Sequence, residues 1–243
     1  MRSPRAAAAL AVVLAAACAS RTVFRVEPSP RVAGPPLLDD GVAVLELEDR
    51  RGRNALDHNL KNLALLPLVP FSVSHRDYPE RTWLDSSPNL NGFVPTVDLA
   101  RALAAEIDAE NLFARCSFVE SGMHGERYAL RGRLLDCHVA EGYLTYGISI
   151  ASVILHVLAA PEGTLRCEMR FDLELVDRRD GRIVWRRRCS DGSTALTWIY
   201  ASEEADIACG MFGSIAEGLI RDAVAGLRLE LAARAAGATS RAP

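Results

Sequence analysis

"LRCEMRFDLELVDRRDGRIVWRRRC", residues 165–189, is the stretch that decides the fold. In its first half apolar residues alternate with polar ones, which is the pattern of a strand with one buried face. The sequence RRDG at 178–181 is typical of a tight turn, and the alternation resumes after it. The stretch therefore predicts an antiparallel hairpin in which Leu175 faces Ile183.

A helix is predicted upstream of this hairpin by the sequence TVDLARALAAEIDAENLF at 96–113. Thr96 is placed to act as its N-cap, because its hydroxyl can accept a hydrogen bond from the first turn. Leu99, Leu103 and Ile107 follow at helical spacing and form one apolar face.

A longer helix is predicted at the C-terminal end. Ser214 and Glu217 have the spacing of a capping box, and Gly210 and Gly213 are expected to separate this helix from a shorter one before it. One apolar stripe runs along the longer helix, consisting of Ile215, Leu219, Ala223, Leu227 and Leu231.

Further strands are predicted at 41–49, 115–120 and 127–139, where apolar and polar residues alternate. Pro67 and Pro70 limit the apolar segment around them to an edge strand or an irregular packed segment. Strands and helices interleave without repeats. The expected fold is α+β, a mixed α/β sandwich with a sheet of about five to six strands and helices on one face.

The N-terminal residues predict export. Two arginines precede an uncharged apolar run that is too short to span a bilayer, so residues 1–17 are interpreted as a signal peptide. The run ends at Cys18, and the preceding residues resemble a bacterial lipobox, although Leu14 lies four residues before the cysteine instead of three. Lipidation of Cys18 is the expected outcome. Ordinary cleavage at the small residues before it is the alternative.

The chain divides into four predicted segments. After the signal peptide come a lipidated N-terminus and proline-rich tether at 18–40, a single α/β periplasmic domain at 41–236 and a disordered tail at 237–243. The formal net charge is −3, which gives no indication of nucleic-acid binding. Besides Cys18, five cysteines are either buried small apolar residues or include one disulfide: Cys116, Cys137, Cys167, Cys189 and Cys209.

Motifs for catalysis are not found in the sequence. It contains no G-x-S-x-G elbow, phosphate-binding glycine loop or dinucleotide fingerprint. Cys137 and His138 stand beside Asp136, but adjacent residues of a strand point to opposite faces and cannot share one ion easily. We therefore expect no catalytic residue, no metal and no cofactor.

The segment from Gly147 to Ala160 is apolar apart from His156 and two serines. It is either a helix buried in the core or an exposed element that docks on a membrane or a partner protein. We take the second alternative as the candidate contact element, formed by Ile148, Ile150, Val153, Ile154, Leu155, Val157 and Leu158. The first would pack Ile150, Ile154 and Val157 or Leu158 inside.

Arginines gather at the hairpin of residues 165–189: Arg178, Arg179, Arg182, Arg186, Arg187 and Arg188. They could bind anionic lipid headgroups or glycans. The alternative is a solvated hairpin face in a chain whose cations are almost all arginine.

The order of these patterns resembles a family of uncharacterised bacterial envelope lipoproteins. It runs from VAVLELED through VDLARALAAEI and YALRGRLLDCHVAEGYLTYG to LELVDRRDGRIVW and a closing helix. The resemblance implies a fold similar to the curli-secretion lipoprotein, the penicillin-binding-protein activator lipoproteins and the N-terminal domain of the Tol-system propeller protein. It also implies a non-catalytic assembly or accessory role through protein contacts or self-association. The expected location is the periplasmic face of the outer membrane, and the alternative function is a binding module for a lipid-like or small apolar ligand.

Overall fold

The computed structural model describes residues 24–51, 66, 68–77, 93–120, 125–148, 151–158, 160–198 and 204–239. In chain order these residues form β1 (Leu38–Leu45), β2 (Glu48–Asp49), β3 (Phe71–Asp77), α1 (Pro95–Ala109), β4 (Phe113–Val119), β5 (Tyr128–Leu144), α2 (Ser152–Val157), β6 (Gly163–Asp177), β7 (Arg182–Thr197) and α3 (Glu204–Thr239). All of the described strands belong to one sheet.

The sheet is five strands wide, in the order β4-β1-β5-β6-β7. Its long strands β5, β6 and β7 are antiparallel, whereas β4 and β1 run parallel to each other and to the start of β5. The short strands β2 and β3 pair with β5 farther along the same edge that β1 occupies. Helices α1 and α3 pack against each other and against this sheet, so the predicted α+β fold with about five to six strands is confirmed.

The buried face of β6 is the one that its alternation predicts. Its inward side chains are at most 1% exposed and face α3 and its neighbours: Leu165, Cys167, Met169, Phe171, Leu173 and Leu175. The buried apolar faces of α1, α3 and the sheet join in one hydrophobic core. Because burial of each such side chain contributes roughly 1.5–3 kcal/mol, this core fixes which face of each strand turns inward.

The hairpin register differs from the predicted one. Leu175 pairs with Trp185, and Val176 pairs with Ile183, so β7 carries an extra residue at a bulge between these two pairs. The turn itself closes through a hydrogen bond from the Gly181 N–H to the Asp177 carbonyl at 2.8 Å. Alternation does not reveal this bulge, because Ile183, Val184 and Trp185 are all apolar and the sequence does not show which of them faces the core.

The start of α1 also differs from the prediction. The helix begins at Pro95, and its N-cap Val94 makes no side-chain cap. Asp98 instead accepts a hydrogen bond from the Val94 N–H at 2.7 Å, and the Thr96 hydroxyl donates to Glu46 at the end of β1. Thr96 is therefore not the cap, because tertiary contact with β1 takes up its hydroxyl.

The C-terminal helix is a single element instead of two. Helix α3 runs unbroken through both Gly210 and Gly213, so Ser214 is an exposed residue inside the helix and no capping box forms there. The apolar stripe extends upstream to Phe212, which is buried, so the helix has a core-facing side chain between the two glycines. Gly213 lies where a side chain would crowd the carbonyl of Arg25.

Part of the predicted tether lies against the folded body. We call residues 24–37 the N-terminal segment; it runs along α1 without regular secondary structure. Both the N–H and the hydroxyl of Ser29 donate to Glu106, at 2.8 and 2.6 Å, and the Val32 N–H donates to the Ala109 carbonyl. Phe24 packs against the core. The tether that was predicted to extend to residue 40 is thus shorter than predicted, because apolar residues within it pack against the core.

Candidate functional site

One end of the sheet, where β5 leads into β6, carries exposed apolar side chains. We call this surface the apolar tip; it consists of Leu68, Tyr146, Ile148, Val153, Ile154, Val157 and Leu158. Leu68 is 87% exposed, Leu158 73% and Ile154 65%. Single exposed apolar residues are ordinary on protein surfaces, whereas a group of this kind at one place is the feature by which contact surfaces are sought, so the apolar tip is the candidate site.

Helix α2 is oriented with its polar residues inward. Ser152 and His156, four residues apart, are buried, while Val153, Ile154 and Val157 point outward. The His156 Nε2–H donates to the Leu144 carbonyl at 3.0 Å, and its ring lies 5.9 Å from that of Tyr146. His156 therefore attaches the helix to the sheet, and the apolar side chains of Val153, Ile154 and Val157 face solvent.

The base of the tip is held by backbone hydrogen bonds. The Thr145 N–H donates to Pro70, its hydroxyl donates to Val69, and the Leu68 N–H donates to the Gly147 carbonyl. Gly163, the first residue of β6, lies so close to the Gly142 carbonyl that no side chain would fit. These contacts bring the segment before β3 against the segment after β5 at the base of the tip.

Charge is missing from the sequence segments that meet at this end. Among the residues that the structure describes, none at 66–74, 142–161 and 192–198 is Asp, Glu, Lys or Arg. The Leu68 N–H donates to Gly147, and the N–H of Glu162, the residue directly after the second segment, donates to Thr197. Trp198 follows directly and is 39% exposed. This end of the molecule thus combines apolar side chains with half-exposed aromatic rings.

The contact element predicted from the sequence is exposed where the structure describes it. Ile148, Val153, Ile154, Val157 and Leu158 are exposed, and Leu155 is partly buried. Ile150 lies outside the described residues. The alternative of a buried helix is wrong for Ile154, Val157 and Leu158, because Ser152 and His156 occupy the inner face. Sequence reasoning missed Leu68, which only the pairing of β3 with β5 brings to the tip.

The opposite end of the sheet, at the β6–β7 turn, is charged and internally paired. Arg127 donates to Asp177 at 2.7 and 3.0 Å and binds Asp40 at 2.6 Å. The hydrogen bond from Arg127 holds the pKa of Asp177 below its usual range. Arg178 donates to the Glu126 carbonyl, and Arg179 lies 3.9 Å from Asp40. Much of the predicted arginine cluster is therefore satisfied within the chain.

The face of the sheet away from the helices carries a ladder of ion pairs. Arg131 and Arg186 each bind Glu174 at 2.8 Å, and Arg188 binds Asp172 at 2.8 Å. Burial acts to raise the pKa of Glu174, but its arginine partners outweigh that effect and lower it. The hydrogen bond from Arg188 lowers the pKa of Asp172. These ion pairs join side chains of neighbouring strands, which is typical of a surface that stabilises the fold.

A cleft of about 430 Å³ lies on the sheet beside this ladder, lined mainly by charged and hydroxyl side chains. Next to it, ligand atoms of Asp136, His138 and Glu168 lie within 4.8 Å of one another. The His138 Nδ1 is 2.7 Å from Asp136. Arg170 and Arg166 pair with the two carboxylates, which balances their charge without a metal ion. A polar lining of this kind does not suit the apolar ligand of the alternative function.

Cys137 points into the core and His138 out of it, as alternation along a strand predicts. Cys137 and the four other described cysteines, Cys116, Cys167, Cys189 and Cys209, form no disulfide with one another, and all but Cys116 are buried. Burial raises the pKa of Cys189 to about 11 and that of Cys167 to about 12. The thiols of Cys167 and Cys189 are therefore protonated at neutral pH and unsuited to nucleophilic chemistry.

No helix in the described part of the chain combines the length and the apolar composition needed to cross a bilayer. No protein-family model matches the chain, and no curated protein matches its sequence.

Similar solved structures include a Xanthomonas campestris protein of the DUF330 family, 11% identical with a TM-score of 0.43 over 86% of this chain and 94% of that one. A PelC dodecamer from Paraburkholderia phytofirmans is 14% identical, with a TM-score of 0.30 over 80% and 95%. A Caulobacter crescentus protein assigned as a lipoprotein is 16% identical, with a TM-score of 0.27 over 48% and 73%. Scores this low describe a coarse likeness of architecture and carry nothing about function. The resemblance to the three named envelope families stays a prediction.

Proposed function

We propose that this chain is a lipid-anchored accessory protein of the bacterial cell envelope, attached through Cys18 to the periplasmic face of the outer membrane. It acts by surface contact and not by catalysis, supporting an assembly from a fixed position at the membrane. The apolar tip is its contact element. The observation that carries this proposal is the outward apolar face of α2, with Ser152 and His156 buried beneath it.

The inverted orientation of α2 supports a contact role because it is costly without a partner. Apolar side chains left in water forgo roughly 25 cal/mol for each Å² that burial would remove. The side chains of Ile154 and Leu158 are mostly exposed. An apolar surface in contact with the tip would recover this free energy.

The anchor is supported by the sequence at the N-terminal end. A charged start, an uncharged apolar run and a cysteine after small residues are the features of a lipoprotein signal. A thioether-linked lipid on Cys18 would hold the folded body beside a bilayer, because two or more acyl chains give stable membrane attachment.

Intact-mass measurement of the native product tests the anchor. The expected mass is that of a chain beginning at Cys18 with a diacylglyceryl group and an additional acyl chain. In a matched Cys18→Ser variant the protein should be recovered without lipid and leave the membrane fraction. A native product with an unmodified start would contradict the proposal.

A further inference from the structure

The N-terminal segment is attached to the folded body along its described length. Glu106 is only 2% exposed, and Ser29 supplies two donors to its carboxylate. If the segment detached, Glu106 would lose both donors, which is unfavourable for a buried charged group. Phe24 also stacks on the buried ring of Phe93 at 4.1 Å. Phe24 is therefore the most N-terminal residue of the described chain that is attached to the folded body.

Phe24 lies toward the end of the sheet that carries the apolar tip. Phe93 contacts Phe212 of α3 at 5.8 Å, and the neighbouring Met211 sulfur is 3.9 Å from that of Cys167. Along β6, the strand rise of about 3.3 Å per residue puts Cys167 roughly 13 Å from the tip end and roughly 35 Å from the arginine turn at Arg178.

The length of chain before Phe24 limits where a bilayer can lie. Fully extended, the chain from Cys18 to Phe24 spans at most about 20 Å. A lipid on Cys18 therefore keeps the membrane surface within about that distance of Phe24. The tip can meet a surface at this distance, whereas the arginine turn lies too far in the opposite direction.

The chemistry of the tip matches the interface of a bilayer. Its exposed side chains are aliphatic, and no charged residue occurs between Gly142 and Pro161. Tyr146 and Trp198 are partly exposed beside them, and these residue types are favoured at the boundary between headgroups and acyl chains. Apolar side chains on a short helix insert at that depth without spanning the bilayer.

We propose that the apolar tip docks into the surface of the bilayer that holds the lipid on Cys18, with the sheet standing away from the membrane. This inference rests on the proposed anchor for its orientation and names the partner of the tip. Protein contacts are then left to the surfaces that face away from the membrane, including the ion-pair ladder.

Flotation with lipid vesicles tests the docking without the anchor. The full mature chain with Cys18→Ser is mixed with vesicles of phosphatidylethanolamine and phosphatidylglycerol, and the bound fraction is measured. We expect the double variant Ile154→Asp with Leu158→Asp to bind the vesicles more weakly than the parent chain, by about tenfold or by a larger factor. The matched control Leu229→Asp changes a 74% exposed leucine on α3 and should bind like the parent chain.

Salt and lipid charge identify the surface that binds. Docking through the tip should be the same at low and high salt and with phosphatidylcholine alone, because the tip has no cation. Binding that needs anionic lipid, and that Arg178→Glu with Arg179→Glu removes, would overturn the inference in favour of the arginine turn. Lack of flotation by the parent chain, together with crosslinking of the tip to a protein in cells, would overturn it in favour of a protein partner.

The mass of Cys18 separates this inference from the proposed anchor. If Cys18 carries lipid and the double variant floats like the parent, docking fails and the anchor stands. If Cys18 is unmodified and flotation still depends on Ile154 and Leu158, the anchor fails and the tip remains a membrane-binding surface.

Discussion

At the end of the sheet where β6 turns into β7, Arg127 binds Asp177 and Asp40, and the turn closes on itself through backbone hydrogen bonds. At the other end, the connection from β5 to β6 contains no charged residue from Gly142 to Pro161 and turns its apolar side chains outward. The two ends of the same strands thus differ in how their side chains are satisfied. At the turn end the charged groups pair with one another, whereas at the tip the apolar side chains are exposed to water.

This difference shows where to look for function. Ion pairs at the turn end link groups within one chain, so their removal should affect stability. Side chains at the tip contact little of the described chain, so their removal should affect binding and leave stability unchanged. Four predictions test the contrast, beginning with the largest expected effect.

Gly163→Ala should lower the free energy of unfolding by about 3 kcal/mol, because the new methyl group would overlap the Gly142 carbonyl at the base of the tip. Urea unfolding measures the change. The matched control is Gly218→Ala in α3, where nothing lies within 4 Å of an added methyl group and alanine favours the helix. Equal stabilities for the two variants would mean that the base of the tip is loosely held.

Arg127→Met should lower the free energy of unfolding by about 2 kcal/mol, because Asp177 would lose the partner that satisfies its carboxylate. Adding Asp177→Asn to the same chain should restore part of the loss, since the uncharged amide needs no cation. Thermal and urea unfolding of the single and double variants give the coupling. Strict additivity of the two changes would show that the pair does not interact.

Acid should weaken the ion pairs of the turn end and of the ladder, whereas the tip has none. Arg127 and Arg188 lower the pKa values of Asp177 and Asp172 in the folded chain. An aspartate whose pKa is lower in the folded chain than its unfolded pKa of about 3.9 stabilises the fold at any pH above about 3.9. This stabilisation is lost as the pH falls from about 3.9 through the pKa of the folded chain. The free energy of unfolding, measured from pH 7 downward, should therefore decrease below about pH 4. The decrease should be less steep in Arg127→Met. Identical acid profiles for the two chains would contradict the assignment of this stability to the pair of Arg127 and Asp177.

The double variant Ile154→Asp with Leu158→Asp should change the free energy of unfolding by less than about 0.5 kcal/mol, because both side chains are already in water. Urea midpoints of the variant and the parent chain provide the comparison. A loss of several kcal/mol would show that these side chains are core residues, and the functional contrast between the two ends would collapse.

The sequence predicted the secondary structure where one local period controls it. Leu165 through Leu175 alternate without interruption, and α1 buries Leu99, Leu103 and Ile107 at the expected spacing. Predictions that depended on distant contacts were wrong. The extra residue in β7 shifts the pairing of Leu175 from Ile183 to Trp185, and the docking of the chain before Leu38 is not visible in its proline-rich composition.

The candidate site divides in the same way. The uncharged segment from Gly147 to Ala160 stood out in the sequence, but its composition fitted both a buried and an exposed position. The burial of Ser152 and His156 and the hydrogen bond from His156 to Leu144 at the end of β5 resolved the choice, because the polar face of α2 turns inward and leaves the aliphatic one outside. Leu68 joined the surface only through the pairing of β3 with β5.

By itself, therefore, the sequence determined the alternation of the long strands, the apolar stripes of the helices and the uncharged character of one segment, since these depend on residue types at fixed local spacing. Only the tertiary structure decided the hairpin register, the continuity of α3 and the direction in which α2 faces. Each of these depends on which distant group satisfies a hydrogen bond or fills a space, and local spacing does not record that.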